Sequence, residues 1–455
     1  MKRILVSLYD KDKYVDILGK LCLDNWEIWA SSGTAKFLKK RGIDARDISE
    51  VTGFENLLGG LVKTLHPEVF AGILASEPLW DIVLVDLYPP PDIDIGGVAL
   101  LRAAAKNWKK VKPAFNFETL KMALERDDEE TRNRLAALTF ALTSRYDAVR
   151  ANQFLDGLIF SLQLSTLELR YGENPHEKAS AYGDPMFEIL SEKKKISFNN
   201  VLDAEAAWFV VSNLDMPGAV VVKHQSPCGA AAGKLGEEVK IVERAINADA
   251  ESSYGGILAT NFEVTKDVAS SLNTYLEVII APSYTEKALE VLSKKKARVL
   301  KVPSNFTFKV GRYAFGSLLV GDRSLPGGEL KLKVGKPASE ETLRDLKLAY
   351  ITVEGVKSNA VVIVNDGVTV GIGGGQPSRK RAAWIAATLA KERAEGAAAA
   401  SDAFFPFPDG LEVLAKAGVR YVAAPLGSIR DEEVLSKAEE LGLSFYEAPG
   451  RVFRH

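Results

Sequence analysis

A lysine and a histidine stand side by side at the end of an apolar run, in Val222-Lys223-His224-Gln225-Ser226-Pro227-Cys228-Gly229. An ammonium beside an imidazole favours the neutral, proton-accepting ring, so the pair suits general-base chemistry. A zinc site of the deaminase kind needs a second thiolate and an upstream H-x-E motif. Neither accompanies Cys228, and no zinc is expected. Three further segments carry reactive types: Val62-Lys63-Thr64-Leu65-His66-Pro67, Asp86-Leu87-Tyr88-Pro89 and Asp94-Ile95-Gly96-Gly97, with Lys106 on the helix after Asp94. One lysine, tyrosine or aspartate in a loop is ordinarily solvated. Three such loops in one small domain, two of them following strands, fit the place where α/β folds hold ligands.

Ser31-Ser32-Gly33-Thr34 lies between a strand and a helix. Its hydroxyls and free N–H groups can hold a phosphate or simply cap the helix, and both roles stay open. Val370-Gly371-Ile372-Gly373-Gly374-Gly375-Gln376-Pro377-Ser378-Arg379 is similar to a dinucleotide fingerprint, but Gln376 occupies the third glycine position. A nicotinamide-dependent oxidoreductase therefore has little support. The stiff loop Ser401-Asp402-Ala403-Phe404-Phe405-Pro406-Phe407-Pro408-Asp409-Gly410 can stack a planar ring or form a subunit interface.

These residues need a scaffold. Residues 3–8 and 26–30 read as strands with helices after them, and 81–88 as another strand followed by a helix over 97–107. Strands alternating with helices indicate a parallel sheet covered on both faces. From 116 to 165 the strand signal gives way to apolar residues at helical spacing with i,i+4 charge pairs, a helical connector. A second α/β region has strands near 218–223, 277–281, 359–364, 368–372 and 420–424, while the Gly/Pro/Lys-rich stretch 323–340 reads as a surface loop.

A chain of 455 residues is too long for one ordinary core, so two or three domains are expected. The formal net charge of −2 offers no footprint for nucleic acid. Two cysteines, far apart and outside any CxxC, suit a reducing compartment rather than a disulfide scaffold. No stretch approaches the roughly 20 apolar residues that span a bilayer, and a cytoplasmic protein is expected.

Assembled in order, the motifs resemble those of one family, the bifunctional purine biosynthesis proteins. These join aminoimidazole carboxamide ribotide (AICAR) transformylase to inosine monophosphate (IMP) cyclohydrolase. The matching runs are VKTLHP, DIGG with LLRAAAKN, LRYGENPH, KHxxPCG, IIAP, KSNA, GIGGGQxSR, SDAFFPFPDG and a terminal FRH, and they cover nearly the whole chain. The resemblance implies a methylglyoxal-synthase-like doubly wound parallel sheet over 1–115, the helical connector over 116–165, and a transformylase region of two cytidine-deaminase-like α/β subdomains over 166–455. It implies a homodimer with 10-formyltetrahydrofolate as cosubstrate, and it leaves room for a structural monovalent cation such as potassium. The small-molecule partners would be AICAR, its formylated product FAICAR and folate.

By the same resemblance Lys223 and His224 carry formyl transfer and Asn359 orients the reacting groups. Arg170, Tyr171 and Arg451 would contact the substrate phosphate, and Asn200, Tyr254 and Gly255 would line the same site. Glu277, Phe404, Phe407, Asp409, Gln376 and Ser378 fall where the carboxamide and the folate are held. In the cyclohydrolase half Lys63, Tyr88, Asp94 and Lys106 match the catalytic positions, and Lys11, Ser31, Ser32, Gly33, Thr34 and Thr64 match phosphate and ribose contacts. This half departs from the family pattern. Leu61 stands where an arginine is usual, Tyr9 where a serine is usual, and about twenty residues are missing before DIGG. A transformylase with a merely supporting N-terminal domain is thus the alternative expectation.

Overall fold

The computed structural model describes residues 2–53, 62–154, 165–183, 185–191, 193–304 and 308–455. They form two compact units, Met1–Ser165 and Thr166–His455.

The first unit rests on short apolar runs buried on both faces, as a parallel sheet requires. In chain order its elements are β1 (Arg3–Leu8), α1 (Val15–Leu23), β2 (Glu27–Ala30), α2 (Ser32–Lys40), β3 (Arg46–Asp47), α3 (Ser49–Thr52), α4 (Pro67–Leu74), β4 (Ile82–Asp86), α5 (Gly96–Lys106) and β5 (Lys112–Ala114). The strands pair in parallel in the order β3-β2-β1-β4-β5. Along β1, Ile4, Val6 and Leu8 enter one core with Ile28, Leu38 and Leu135, whereas Leu5 enters the other with Trp29, Val83 and Leu100. That is the two-residue alternation of a strand. The strand order reverses between β1 and β4, which opens a crevice at their carboxyl ends.

The segment expected as a connector forms α6 (Phe117–Glu125) and α7 (Glu129–Phe154). Leu120, Ala123 and Leu135 share a core with β1, so these helices are part of the first unit, whose limit falls near 165 rather than at 115. The short β5 widens the sheet, and its neighbours need covering.

In the second unit β6 (Ser165–Glu168) and β7 (Ser180–Tyr182) form a small ribbon. Then come β8 (Glu188–Ser191), α8 (Phe198–Ser212), β9 (Gly218–Lys223), β10 (Ser226–Ala232), α9 (Glu238–Asn247), α10 (Ala250–Ser253), β11 (Gly256–Thr260), α11 (Lys266–Ser271), β12 (Leu276–Ala281), α12 (Glu286–Leu292) and β13 (Arg298–Lys301). A hairpin of β14 (Phe308–Ala314) and β15 (Ser317–Arg323) precedes β16 (Lys331–Val334) and α13 (Glu340–Glu354). The remainder is β17 (Val361–Asn365), β18 (Val368–Gly373), α14 (Arg379–Ala390), β19 (Ala398–Ser401), α15 (Asp409–Lys416), β20 (Tyr421–Ala424), α16 (Asp431–Glu440) and β21 (Ser444–Glu447).

Apart from the one-turn α10, the order β8-α8-β9-β10-α9-β11-α11-β12-α12-β13 recurs as β16-α13-β17-β18-α14-β19-α15-β20-α16-β21. Pairing senses recur as well: β9–β10, β9–β11 and β13–β8 are antiparallel like β17–β18, β17–β19 and β21–β16, and the remaining pairs in each half are parallel. β10 and β18 join the halves into one mixed sheet of twelve strands. Matching glycines let a helix press on each central hairpin. A Cβ on Gly229 would lie 2.0 Å from the Ala245 carbonyl oxygen of α9, and one on Gly371 2.0 Å from that of Ala386 on α14. Gly371 and Gly373 of the GIGGG run are therefore a packing surface in β18.

Residues 323–340, expected as a surface loop, contain β16. Its lysines keep it exposed, and it pairs with β21 alone at the sheet edge.

Candidate active sites

The first crevice gathers loops from four strand ends. After β1, the Tyr9 N–H donates to the Asp86 carbonyl (3.2 Å) and the Asp10 N–H to the Asp86 carboxylate (2.9 Å). The Tyr9 ring meets Tyr88 edge-on at 5.6 Å, so the residue that replaces a serine packs directly on a candidate catalytic group. After β2, Ser31 and Thr34 are buried, and their hydroxyls bond to each other (3.2 Å). No side chain caps α2, so the capping role for this segment is not what the fold uses. Ser32 reaches Asp47 (2.9 Å), while Gly33 is exposed and Lys11 donates to the Tyr9 carbonyl (3.3 Å).

Asp94 sits at the start of α5. Its carboxylate accepts from the Gly97 N–H (2.6 Å), and a Cβ on Gly97 would lie 2.5 Å from the same carboxylate, so a glycine is needed there. Burial pushes the Asp94 carboxyl up, against the pull of the Gly97 and Tyr88 N–H groups and of the Lys63 charge. Burial, with Asp94 and Asp92, raises the Tyr88 phenol. Thr64 is buried, and its hydroxyl would lie 3.0 Å from a Cβ on Gly96. Lys63, Thr64, Tyr88 and Asp94 are thus brought together.

Lys106 is not. It is exposed in the last turn of α5, ten residues beyond Gly96, and at 1.5 Å per residue that is about 15 Å along the axis. No lysine side chain spans that distance. Leu61 lies outside the described residues.

In the second unit Lys223 ends β9, and its ammonium donates to the Tyr254 carbonyl (3.0 Å). His224 and Gln225 turn the chain into β10 with φ of 54° and 60°. These left-handed angles match the two-residue hairpin loops that suit strand twist. Asp203 on α8 accepts from both amides, at 3.2 Å from His224 and 2.6 Å from Gln225. The His224 ring is left exposed. Around Lys223, Tyr254 packs on Tyr275 (5.5 Å), the Gly255 N–H bonds the Tyr275 carbonyl, and Asn200 donates to Glu277 (2.7 Å). Arg170 lies over the Tyr171 ring at 5.1 Å, next to the start of α8, where the Phe198 N–H donates to the Tyr171 carbonyl.

The other half of the repeat holds a second cluster. Asn359 donates to the Gln376 carbonyl (2.9 Å) and accepts from Arg379 (2.8 Å). Arg379 also donates to Ser401 (2.7 Å) and pairs with Asp402, which in turn accepts from Ser358 (2.6 Å). Ser378 caps α14, Lys380 faces Asp409 (3.7 Å), and Arg430 stacks over Phe407 (4.7 Å); Phe404 is half-buried.

The C-terminus links the two clusters. Val452 is buried and bonds the Asp402 carbonyl (2.9 Å), and the Arg454 carbonyl accepts from Ser358 (2.8 Å). The Arg454 guanidinium donates to the Gly355 carbonyl (2.6 Å) and to the Gln225 carbonyl in the His224 turn. Burial and the nearby Arg323 push it down to about 10. Arg451 is exposed over Phe453. Sequence reasoning missed Asp203, Arg379, Asp402 and Arg454. Arg379 and Asp402 fell within two quoted motifs but carried no signal of pairing, and Asp203 looks like any helix surface residue. Burial pushes the Cys228 thiol up to about 11, which disfavours the thiolate.

An α/β scaffold with a polar crevice in one unit and a lysine–histidine corner in the other defines a two-site enzyme. A family model for the AICARFT/IMPCHase bienzyme matches residues 104–389. The bifunctional purine biosynthesis protein PurH of Thermotoga maritima is 68% identical over 455 residues, with all of both chains covered. That of Bacillus cereus (strain ATCC 10987 / NRS 248) is 39% identical over 513 positions, again with full coverage of both. The crystal structure of ForH shares 29% identity, covering 34% of this chain and 98% of that one, with a TM-score of 0.30.

The chain belongs to the AICARFT/IMPCHase bienzyme family. It is a bifunctional enzyme of de novo purine biosynthesis, with AICAR transformylase and IMP cyclohydrolase activities, and the transformylase-only alternative gives way to this pair. No described helix is long and apolar enough to cross a membrane.

Proposed function

We propose that the second unit transfers the formyl group and the first closes the ring. The observation that carries this is the Lys223–His224 corner, where Asp203 holds the backbone of a turn whose exposed histidine follows, in sequence, a lysine with an anchored ammonium. The amine of AICAR attacks the formyl carbon of 10-formyltetrahydrofolate, and His224 takes the proton the amine loses. Lys223 stabilises the negative charge that develops on the formyl oxygen. The bond to the folate nitrogen then breaks, and that nitrogen recovers a proton. Asn359, fixed by Arg379 and Gln376, orients the reactants. Arg170, Tyr171 and Arg451 hold the phosphate, Asn200, Tyr254, Gly255 and Glu277 line the ribotide, and Gln376, Ser378, Phe404, Phe407 and Asp409 meet the folate and the carboxamide. Lys223 and Phe407 belong to different halves of the repeat, which suits a homodimer in which two chains complete each site.

In the first unit the FAICAR carboxamide nitrogen attacks the formyl carbon and water leaves. Lys63, Tyr88 and Asp94 polarise the carboxamide and move the protons, while Lys11, Ser31, Ser32, Gly33, Thr34 and Thr64 hold phosphate and ribose. Lys106 stands outside this set. The strand order of the first sheet supports a methylglyoxal-synthase-like domain, and the repeated topology of the second unit supports two deaminase-like subdomains. One assay tests the whole reading: AICAR and 10-formyltetrahydrofolate are supplied, and tetrahydrofolate and IMP are followed separately. Release of tetrahydrofolate without IMP would defeat the assignment to the first unit.

Asp94 sets a pH dependence. Burial raises its folded pKa above that of the unfolded chain, so ionising it costs stability as pH rises through the unfolded value. Cyclisation that needs the carboxylate gains rate only as pH rises through the higher, folded value. The acid limb of kcat/KM for FAICAR should lie above the ordinary carboxylate range and be absent from any residual activity of Asp94→Asn. A limb that persists in this variant assigns it to another group.

The tail gives a further expectation. Deleting 451–455 removes the Arg454 contact to the His224 turn and lowers transformylase efficiency by about thirtyfold, the weight of one charged hydrogen bond. Arg454→Ala should appear mainly in kcat and Arg451→Ala mainly in the KM for AICAR, with cyclisation untouched by either. An unaltered enzyme after the deletion would remove both roles.

A further inference from the structure

The segment from Tyr88 to Asp94 carries two of the three cyclisation groups, and both of its ends are held from α7. The Tyr146 hydroxyl accepts from the Asp94 N–H at 2.7 Å. It also lies 3.3 Å from the Tyr88 carbonyl and 3.5 Å from that of Asp92, and its single proton serves one of them. Four residues on, and so on the same helix face, Arg150 donates to the Tyr88 carbonyl at 2.8 Å. Its guanidinium lies 4.3 Å from the Tyr146 ring centroid, which makes the two side chains one unit.

Arg150 is only 6% exposed, and its Nε and one terminal nitrogen have no hydrogen-bond partner among the described residues. Burying a guanidinium with unmade hydrogen bonds costs stability. A methionine would fill the same volume without that cost. What the charge does provide is a directed donor on the carbonyl of Tyr88. With the Asp94 amide held by Tyr146, the Asp94 carboxylate is free to take the Gly97 and Tyr88 N–H groups and to face Lys63.

We propose that Tyr146 and Arg150 are positioning residues for ring closure, clamping the two ends of the 88–94 segment so that Tyr88 and Asp94 meet the substrate together. The proposal rests on the assignment of those two residues to cyclisation. Displacing catalytic groups by about an ångström can cost on the order of a hundredfold in rate, so a loosened segment should act on turnover rather than on binding.

The test supplies FAICAR to the full-length chain and measures IMP formation by Tyr146→Phe, Arg150→Met and Arg150→Lys, with Tyr88→Phe and Asp94→Asn alongside. Tyr146→Phe and Arg150→Met should lower kcat by roughly tenfold or more, with KM within about twofold. Arg150→Lys should recover most of the rate, because an ammonium can still donate to the Tyr88 carbonyl. The double variant should lose less than the product of the single losses, since both side chains act on one segment. Formyl transfer in the same preparations should be unchanged. Full kcat in both single variants, with Tyr88→Phe and Asp94→Asn inactive, would overturn the clamp. Normal cyclisation by Tyr88→Phe and Asp94→Asn would instead sink the catalytic assignment and the clamp with it. Equal loss of both activities would show a general loss of stability and also overturn the proposal.

Discussion

His224→Ala is expected to lower formyl transfer by about a hundredfold or more, the usual weight of a positioned acid or base. Cyclisation of supplied FAICAR should run at the wild-type rate, because its groups lie in the other unit. The effect is expected to be chemical rather than structural. The turn is held through backbone amides on Asp203, which the substitution leaves in place. Alanine does pay for a φ of 54°, so His224→Asn is the better control. Asparagine enters the left-handed region readily and has no basic nitrogen. Both variants should release tetrahydrofolate slowly under saturating substrates. If His224→Asn transfers formyl groups at the wild-type rate, the imidazole is not the base.

A second large effect is expected from Asp402→Ala, as a loss of stability in the second unit. Asp402 is fully buried, and Arg379 is exposed by only 5% of its side chain. Their pair also holds Ser358 and Ser401, and through Arg379 the Asn359 amide. Removing one partner of a buried ion pair costs roughly 3–5 kcal/mol, because the other charge stays behind unpaired. For a unit of this size that is a fall in Tm on the order of 10 °C. Calorimetry should place the loss in the transition of the second unit, with formyl transfer lost before cyclisation as temperature rises. A Tm within about 2 °C of wild type would mean that the pair contributes little, as exposed pairs do.

Much of the scaffold was legible because it depends on local pattern. The runs RILVSL, DIVLVD and GAVVVK are continuous and apolar, which only strands buried on both faces require, and each became a strand. The stretch 116–154 was legible as helix from its spacing, but not as part of the first unit, since periodicity shows that a face is apolar and not what covers it. β16 was missed for the opposite reason. An exposed edge strand with alternating lysines has no apolar pattern, and its pairing with β21 is a contact across more than a hundred residues.

The candidate sites divide in the same way. Sequence alone determined the chemistry-bearing types and their order: the Lys223-His224 pair, Lys63, Tyr88 and Asp94 in loops, the glycine run and the aromatic–proline loop. Motif spacing is carried by the chain itself and needs no fold to be read. Tertiary structure decided which of these meet. It joined Tyr88 to Asp94 through Tyr146 and Arg150, set Lys106 at the far end of α5, and turned the glycine run into a seat for α14. It also drew Arg454, and not Arg451, onto the His224 turn. Each of these outcomes depends on direction and distance between segments far apart in the chain, and on the requirement that a buried charge or amide find a partner. A list of residues contains neither.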